Sequence, residues 1–304
     1  MNDFAGVREL APYLAEPRAM EVGTPGKSGC LRLGFELDGS GRSILRDWER
    51  RAPLIVQQAL YFDEQLPDLP CVYILSSGGP NVDGDRYELD VTVRRGASAH
   101  LSTGAATKLA RMRSNFSANR QRFELEEGAY LEYLPEPTIP CAHARYWSDT
   151  EFVVHPAAVL FYSEIYLPGR RHHGDECFAY DLLSVAMRAR RPGGEPLFSE
   201  KFILRPAALH PAVLGMMGSY EVFGNAVVLA PREVAERLYA HTEPFVDAQR
   251  QLAAGVLRLP HDAGLSYRVM GMSSGPVKQT LRAFCSAVRR EVKGKPLPPE
   301  FPWR

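Results

Sequence analysis

Cysteine is scarce in this 304-residue chain. Its five cysteines, Cys30, Cys71, Cys141, Cys177 and Cys285, are odd in number, widely spaced and never in a C-x-x-C pair. That excludes a disulfide framework and the paired-cysteine zinc and redox motifs, and fits reduced thiols in a cytoplasm. Long apolar runs are missing too: none approaches the roughly 20 residues needed to span a bilayer. The opening MNDFAGVRELAPYLAEP has acidic Asp3 and Glu9 in place of a basic region followed by an apolar one, so it does not read as a secretory signal. Net charge is absent as well. Lysine plus arginine and aspartate plus glutamate number 36 each, so no global field draws the chain to nucleic acid or to an anionic membrane. The expectation is a cytoplasmic protein with neither as partner, which finds its partners through local surfaces.

What is present is an ordinary globular composition, 45% hydrophobic and 24% charged, enough to build a core without covalent staples. Residues 1–27 are rich in Pro, Gly and Ala around a short helix-like stretch and read as a mobile N-terminal arm. A single domain is expected over 28–304, with a β-stack over about 28–223, an α/β portion over about 224–292 and a Pro-rich tail at 293–304. Leu31, Leu33, Phe35 and Leu37 alternate with polar or small residues before the turn DGSG, which predicts a half-buried strand. Further strands are predicted over 43–48, 54–60 and 71–75. Tyr87, Leu89, Val91 and Val93 share a face, and RRGA then turns the chain into 98–102. The pattern of strand, small-residue corner and strand recurs in FELEEGAYLEYLP (123–135) and in FVVHPAAVLFY (152–162), and a fourth unit surrounds RRPGGEP (190–196). Units spaced by about thirty residues suggest stacked hairpins in a β-helix or solenoid, with an irregular sandwich as the alternative. In the C-terminal third, strands are expected at 224–230, 256–259 and 265–270. Helices are expected after Pro231, after Pro244 and from Pro276, the last carrying Val277, Leu281, Phe284, Cys285 and Val288 as an apolar stripe. Phe301 and Trp303 of the tail are expected to pack back onto the body.

Among the motifs, GMSSG at 271–275 fits G-x-S-x-G, but no Asp or His follows Ser273, so the order of an α/β-hydrolase triad is missing and a strand-to-helix turn explains it. STGAATK at 102–108 lacks the Gly-Lys-Ser/Thr of a phosphate loop. RRHHGDEC at 170–177 crowds His172, His173, Asp175, Glu176 and Cys177 together, all possible ligands of nickel or zinc. Adjacent strand residues point to opposite faces, however, so a turn at Gly174 would be needed to unite them. Cys141 and His143 are spaced to share a strand face. No four-ligand structural zinc set is visible by spacing. In SSGGPNVDGD at 76–85 the corners Gly78, Gly79 and Gly84 return the chain into a strand at Asp85. That carboxylate either braces the turn by accepting backbone N–H groups or faces a channel and holds a passing cation.

Taken in order, APLIVQQALYFD (52–63), YILSSGGPNVDGD (73–85), TGAATK (103–108), LEYLPEPTIP (131–140) and LPGRRHHGDE (167–176) resemble the UreD (UreH) family of urease accessory proteins. The resemblance is clear over about 28–190, weaker through the C-terminal third, and returns in the tail PLPPEFPWR. It implies a β-helical fold with two helices and no enzymatic activity. It also implies a scaffold that binds the urease apoprotein together with UreF-like and UreG-like partners, the latter a GTPase that delivers nickel, and that lets nickel pass through an internal tunnel. No tightly bound cofactor is implied, only transient nickel. The functional polar positions of the family map onto Asp85, Thr107, Lys108, Glu164 and either Asp175 or Glu176, with His172 and His173 beside the last. The turn is one residue longer than the commoner family form and has Asp83 where glycine is usual, and the segment after Gly169-Arg170 carries an extra residue. A transfer path should use scattered carboxylates and water rather than a saturated cage that would trap the metal. Two rivals remain: a metal-dependent hydrolase on a β-helix using the 170–177 cluster with Asp85, and a structural chaperone of urease that carries no metal.

Overall fold

The computed structural model describes residues 4–17, 24–174, 176–213 and 215–299. Strands dominate: β1 (Ser28–Leu37), β2 (Ser43–Arg51), β3 (Leu54–Ile55), β4 (Cys71–Ser76), β5 (Arg86–Val93), β6 (Ser98–Thr103), β7 (Thr107–Leu109), β8 (Ser117–Leu125) and β9 (Tyr130–Leu134). There follow β10 (Thr138–Pro140), β11 (Arg145–Val154), β12 (Val159–Tyr166), β13 (Leu182–Arg190), β14 (Pro196–Leu204) and β15 (Val222–Leu229). The C-terminal part adds α1 (Arg232–Ala240), β16 (Phe245–Asp247), β17 (Leu252–Arg258), β18 (Gly264–Gly271) and α2 (Ser274–Lys293).

These strands make two sheets. The first runs β14-β13-β11-β8-β5-β1-β2, and the second β16-β17-β18-β15-β12-β9-β6-β4-β3 with β7 and β10 alongside. In the first, β1, β5, β8, β11 and β13 are mutually parallel. In the second, β4, β6, β9 and β12 are. The predicted recurrence is visible in the pairing. Val93 lies against Leu125 and Leu125 against Val154, each step about thirty positions along the chain.

The units are not hairpins, however. Each corner carries the chain from the first sheet to the second, so β5 and β6, β8 and β9, or β11 and β12 pair with their counterparts in neighbouring units and not with each other. Only the fourth unit, β13 and β14 around Arg190–Pro196, pairs antiparallel as expected. The two sheets face one another and do not close into a continuous coil. Gly96, at φ +70°, makes the first corner, a conformation a β-carbon disfavours. Its N–H donates to Glu127 O of the next corner, so the corners stack as the strands do.

The alternating burial of β5 follows its sequence. Its inward Leu89, Val91 and Val93 join Phe123, Phe152, Leu131 and Tyr162 in a core between the sheets. Each large apolar side chain buried there contributes about 1.5–3 kcal/mol. Outward, the register lines up a row of alternating charge across five strands, Arg32, Asp90, Arg122, Glu151 and Arg188. Arg122 reaches Glu151 at 2.9 Å and Arg32 reaches Asp90 at 3.4 Å. A one-residue slip would turn this row inward, so charge helps to fix the register.

Three expectations change. Residues 4–17 are not a free arm: Phe4 and Leu10 are buried against Phe116, Ala118, Trp147 and Leu182 on the outer face of the first sheet. Arg86 lies over the rings of both Phe4 and Phe116, and buried Glu9 is held by Lys201 at 2.6 Å and Ser184 at 2.7 Å. The predicted 54–60 strand is only two residues long, with Leu60 rejoining through a single bridge to Cys71. After Pro244 the chain forms a short edge strand where a helix was expected, because three residues facing β17 gain more from its edge than an unsupported turn would. Phe301 and Trp303 lie outside the described residues, but the tail does run back along α2: Leu297 N–H meets Ser286 Oγ and Pro298 O accepts from Arg282. The predicted stripe of α2 packs on the outer face of the second sheet.

Candidate functional site

The turn at 78–85 is a hub. Gly79 and Gly84 adopt φ of +68° and +79°, and a β-carbon on Gly84 would fall 2.3 Å from Pro17. Asp85 is fully buried. Its Oδ1 accepts from Lys27 N–H at 2.9 Å. Its Oδ2 accepts from Val82 N–H and Tyr87 O–H, both at 2.9 Å, with Lys27 Nζ also at 2.9 Å. Asp83, at the position where the family commonly has glycine, is equally buried and accepts from Ser114 and Asn115 N–H. Ser114 and Asn115 in turn donate to the carbonyls of Glu16 and Ala15. Of the two roles left open by the sequence, the geometry of Asp85 is that of a brace: both oxygens are taken by protein donors, and the two aspartates tie the N-terminal segment, the start of β1 and the loop before β8 together.

Behind this hub, between the sheets, lies a cavity of about 410 Å³. Gly79, Asn81, Thr103, Gly104, Ala106, Thr107, Lys108, Asn119 and Gln121 line it, with Tyr87, Tyr133 and Tyr146. Thr107 and Lys108 therefore stand on its wall, on β7, whose Thr107 N–H is held by Pro137 O. A second cavity of about 540 Å³ also opens between the sheets, lined by Tyr166, Phe178, Tyr180, Phe202, Met216 and Phe223 and by the charged Glu200 and Arg268.

Glu164 sits among side chains that line the two cavities: Tyr166 of the second donates to it, and Gln121 of the first shares Tyr162 with it. It lies on β12, buried, accepting from Tyr166 O–H at 3.0 Å and Tyr162 O–H at 3.3 Å. Burial in this setting pushes its carboxyl up to about 7, against the partial opposition of the tyrosine hydroxyls. Tyr146, on the first cavity, and Tyr166, on the second, both belong to the packing around it. Asn225 of β15 stands directly across from Glu164. Several polar atoms here are buried without a hydrogen-bond partner: Glu164 Oε1, both side-chain atoms of Asn225, Gln121 Oε1 and Ser266 Oγ. Leaving such atoms unmet costs about 1–3 kcal/mol each.

The described residues of the 170–177 cluster are not gathered as a metal site. His172 and His173 are exposed on a turn, and Asp175 lies outside the described residues. Glu176 is gripped by Arg170 at 2.5 and 2.7 Å and accepts from Ala142 N–H at 3.2 Å, and Arg170 holds its carboxyl below the usual range. Burial pushes the Cys141 thiol up, away from the thiolate a metal would need, and His143 turns instead to Asp181 at 3.1 Å. Among the described residues no three His, Cys, Asp or Glu side chains are gathered to hold a metal ion. Ser273 stands at the junction of β18 and α2, as the strand-to-helix reading requires.

One constellation escaped the sequence reading. Arg289 of α2, fully buried, donates to both oxygens of Glu132 at 2.6 Å and also reaches Asp63. His100 Nδ1 lies 2.8 Å from Glu132 and Tyr130 O–H donates to it. Burial alone would raise the Glu132 carboxyl, but the bonds from Arg289 and His100 outweigh it and take it down to about 2. The signal was available: Arg289 continues the apolar stripe through Leu281 and Cys285 at four-residue steps, and Glu132 is the one charged residue of YLEYL.

Comparison with known proteins agrees with the ordered motifs. The family description "UreD urease accessory protein" matches residues 27–304. The chain is 45% identical over 297 residues to "Urease accessory protein UreD 2" of Brucella suis biovar 1, covering 97% of this chain and 98% of that protein. It is 42% identical over 297 residues to "Urease accessory protein UreD" of Yersinia pseudotuberculosis serotype O:1b, covering 97% and 92%. Motif order and similarity over nearly the whole chain place this chain in the UreD family of urease accessory proteins.

Proposed function

We propose that the protein is a non-catalytic scaffold in urease maturation that passes nickel to the urease apoprotein through the space between its two sheets, within a complex that includes UreF-like and UreG-like partners. The observation that carries the reading is the pair of cavities, about 410 and 540 Å³, with buried Glu164 bonded to Tyr166 of one and linked through Tyr162 to Gln121 of the other. A passing cation needs oxygen ligands that replace part of its hydration without holding it fast. One carboxylate flanked by tyrosine hydroxyls and amides offers that, and the exposed histidines at 172–173 do not. Asp85 and Glu176 support the passage at one remove, by fixing the turn and the loop that frame it. The fold belongs with this reading in its finer form as well: the stacked parallel units act as an open β-helix whose interior is the conduit.

The experiment is co-expression with urease and its other accessory proteins. Ala106→Trp, which fills the mouth of the first cavity, should leave co-purification with apo-urease intact while cutting urease activity and nickel content at least about tenfold. Full activation by a plugged variant would favour the rival in which the protein opens urease while nickel enters elsewhere. Loss of co-purification of the unmodified protein with apo-urease at low salt would remove the scaffold itself.

A further inference from the structure

The surroundings of Glu164 hold more oxygen atoms than their own hydrogen bonds use. Asn225 is 1% exposed, yet neither atom of its amide completes a hydrogen bond. It stands across β12 and β15 from Glu164, near enough to ease ionisation of that carboxyl. Gln121 reaches in from the opposite sheet, its Nε2 donating to Tyr162 O–H at 3.1 Å while its Oε1 stays unmet. That same tyrosine hydroxyl lies 3.3 Å from Glu164 Oε2. Ser266, on the strand beyond Asn225 and on the same face, adds a buried hydroxyl oxygen without a partner. Four strands drawn from both sheets thus bring one carboxylate, two amides and one hydroxyl to a single boundary.

The chemistry of this set selects its guest. An apolar guest would leave the amides unmet, and an anion would meet the carboxylate of Glu164. A thiophilic metal would find no sulfur among these four residues. A divalent cation that keeps some of its water and accepts hard oxygen ligands suits all four. We propose that Glu164, Asn225 and Gln121, with Ser266 beside them, form an oxygen-donor station at which a divalent cation pauses between the two cavities, and that Asn225 sets how firmly it is held. The inference rests on the passage reading and adds to it a defined stopping point and a residue, Asn225, that acts there. With a single charge in the site the hold is weak, so the cation is released forward.

The test uses the purified full-length protein titrated with nickel(II) chloride by calorimetry at neutral pH. Asn225→Leu removes both amide atoms at nearly constant volume and should weaken nickel binding at least about tenfold, a loss in the range seen when groups that tune a metal site are removed, with the thermal midpoint unchanged or raised. Asn225→Asp adds a charge and should bind nickel more tightly while slowing urease activation on co-expression. Asn225→Ser repeats the first comparison should leucine disturb the sheet. The station is overturned if Asn225→Leu and Asn225→Ser bind nickel like the unmodified protein. It is also overturned if the unmodified protein takes up no nickel up to millimolar concentration, in which case ordered water fills the site. The two readings fail separately. Ala106→Trp blocking activation while the Asn225 variants bind normally removes only the station, whereas a fully active Ala106→Trp removes the passage.

Discussion

Glu164 and Asp85 are both buried carboxylates near one cavity system, and their surroundings give them opposite characters. Asp85 is satisfied by two backbone N–H groups, a tyrosine and an ammonium. We predict that Asp85→Ala costs about 3–5 kcal/mol, the usual loss when one partner of a buried pair is removed, and speeds cleavage at Lys27, which Asp85 holds, measured by urea unfolding and limited trypsin digestion. Among the described residues no cation pairs with Glu164, and burial raises its carboxyl from 4.5 to about 7. A group whose folded-state value lies above its unfolded one supports the fold fully at low pH and loses that support as pH rises between the two. Stability should therefore fall by roughly 3 kcal/mol at most between about pH 4.5 and 7 through this group. Glu164→Gln should flatten that part of the profile and be the more stable protein at pH 7.5 in urea titrations, while activating urease poorly. An unchanged slope in the variant would show that the carboxyl is not buried as described. The bracing role of Asp85 was legible from local chemistry, because a carboxylate after two glycine corners has N–H groups within reach. Glu164 carried a local signal as well, as the one charged residue of VLFYSEIY with tyrosines two positions away on either side, but only the resemblance singled it out, since the other strands that enclose it come from positions far apart in the chain.

At the scale of elements, α2 is fixed by a charge inside an apolar interface. Arg289→Met should leave Asp63 and Glu132 buried without their cation and lower stability by about 3–5 kcal/mol at neutral pH. The Glu132 value of about 2 gives the sign. A depressed carboxyl supports the fold above its unfolded value, and that support is lost as pH falls toward 2. The difference between Arg289→Met and the unmodified protein should accordingly be widest above about pH 5 and shrink in acid, as followed by chemical unfolding across pH. The individual strands were readable from their period-two alternation, and α2 from its stripe. Their partners were not. A strand, a Gly-Ala corner and another strand look locally like a hairpin, and the choice between pairing across the corner and pairing with a unit about thirty residues away is made by the core between the sheets. The short β16 had too few residues to show any period, and its identity comes from the edge of β17.

For the molecule as a whole, the row Arg32, Asp90, Arg122, Glu151 and Arg188 leaves the outer face of the first sheet self-neutralised, in keeping with the balanced composition. Exposed large side chains collect elsewhere: Met216, Phe245, Val246 and Leu257 all stand at the rim of the second cavity. We predict that Arg122→Glu, which sets like charges side by side along that row, costs about 1 kcal/mol or more yet leaves co-purification with urease unchanged, whereas Val246→Lys, at the rim, weakens it with little change in stability. The reverse pattern in pull-down and unfolding measurements would place recognition on the charged face.

The docking of the first residues sets an order of events for the newborn chain. Glu9 finds its seat only on Ser184 and Lys201, which leave the ribosome after most of the polypeptide has been made. At about 5–20 residues per second, the earliest part of the protein waits on the order of ten to forty seconds for the surface it must cover. The beginning of the chain is therefore fastened in two stages, with Phe116, Ala118 and Trp147 made early and the seat of Glu9 made late, and a translation product halted before residue 184 should still offer the residues around Glu9 to a protease or a chaperone.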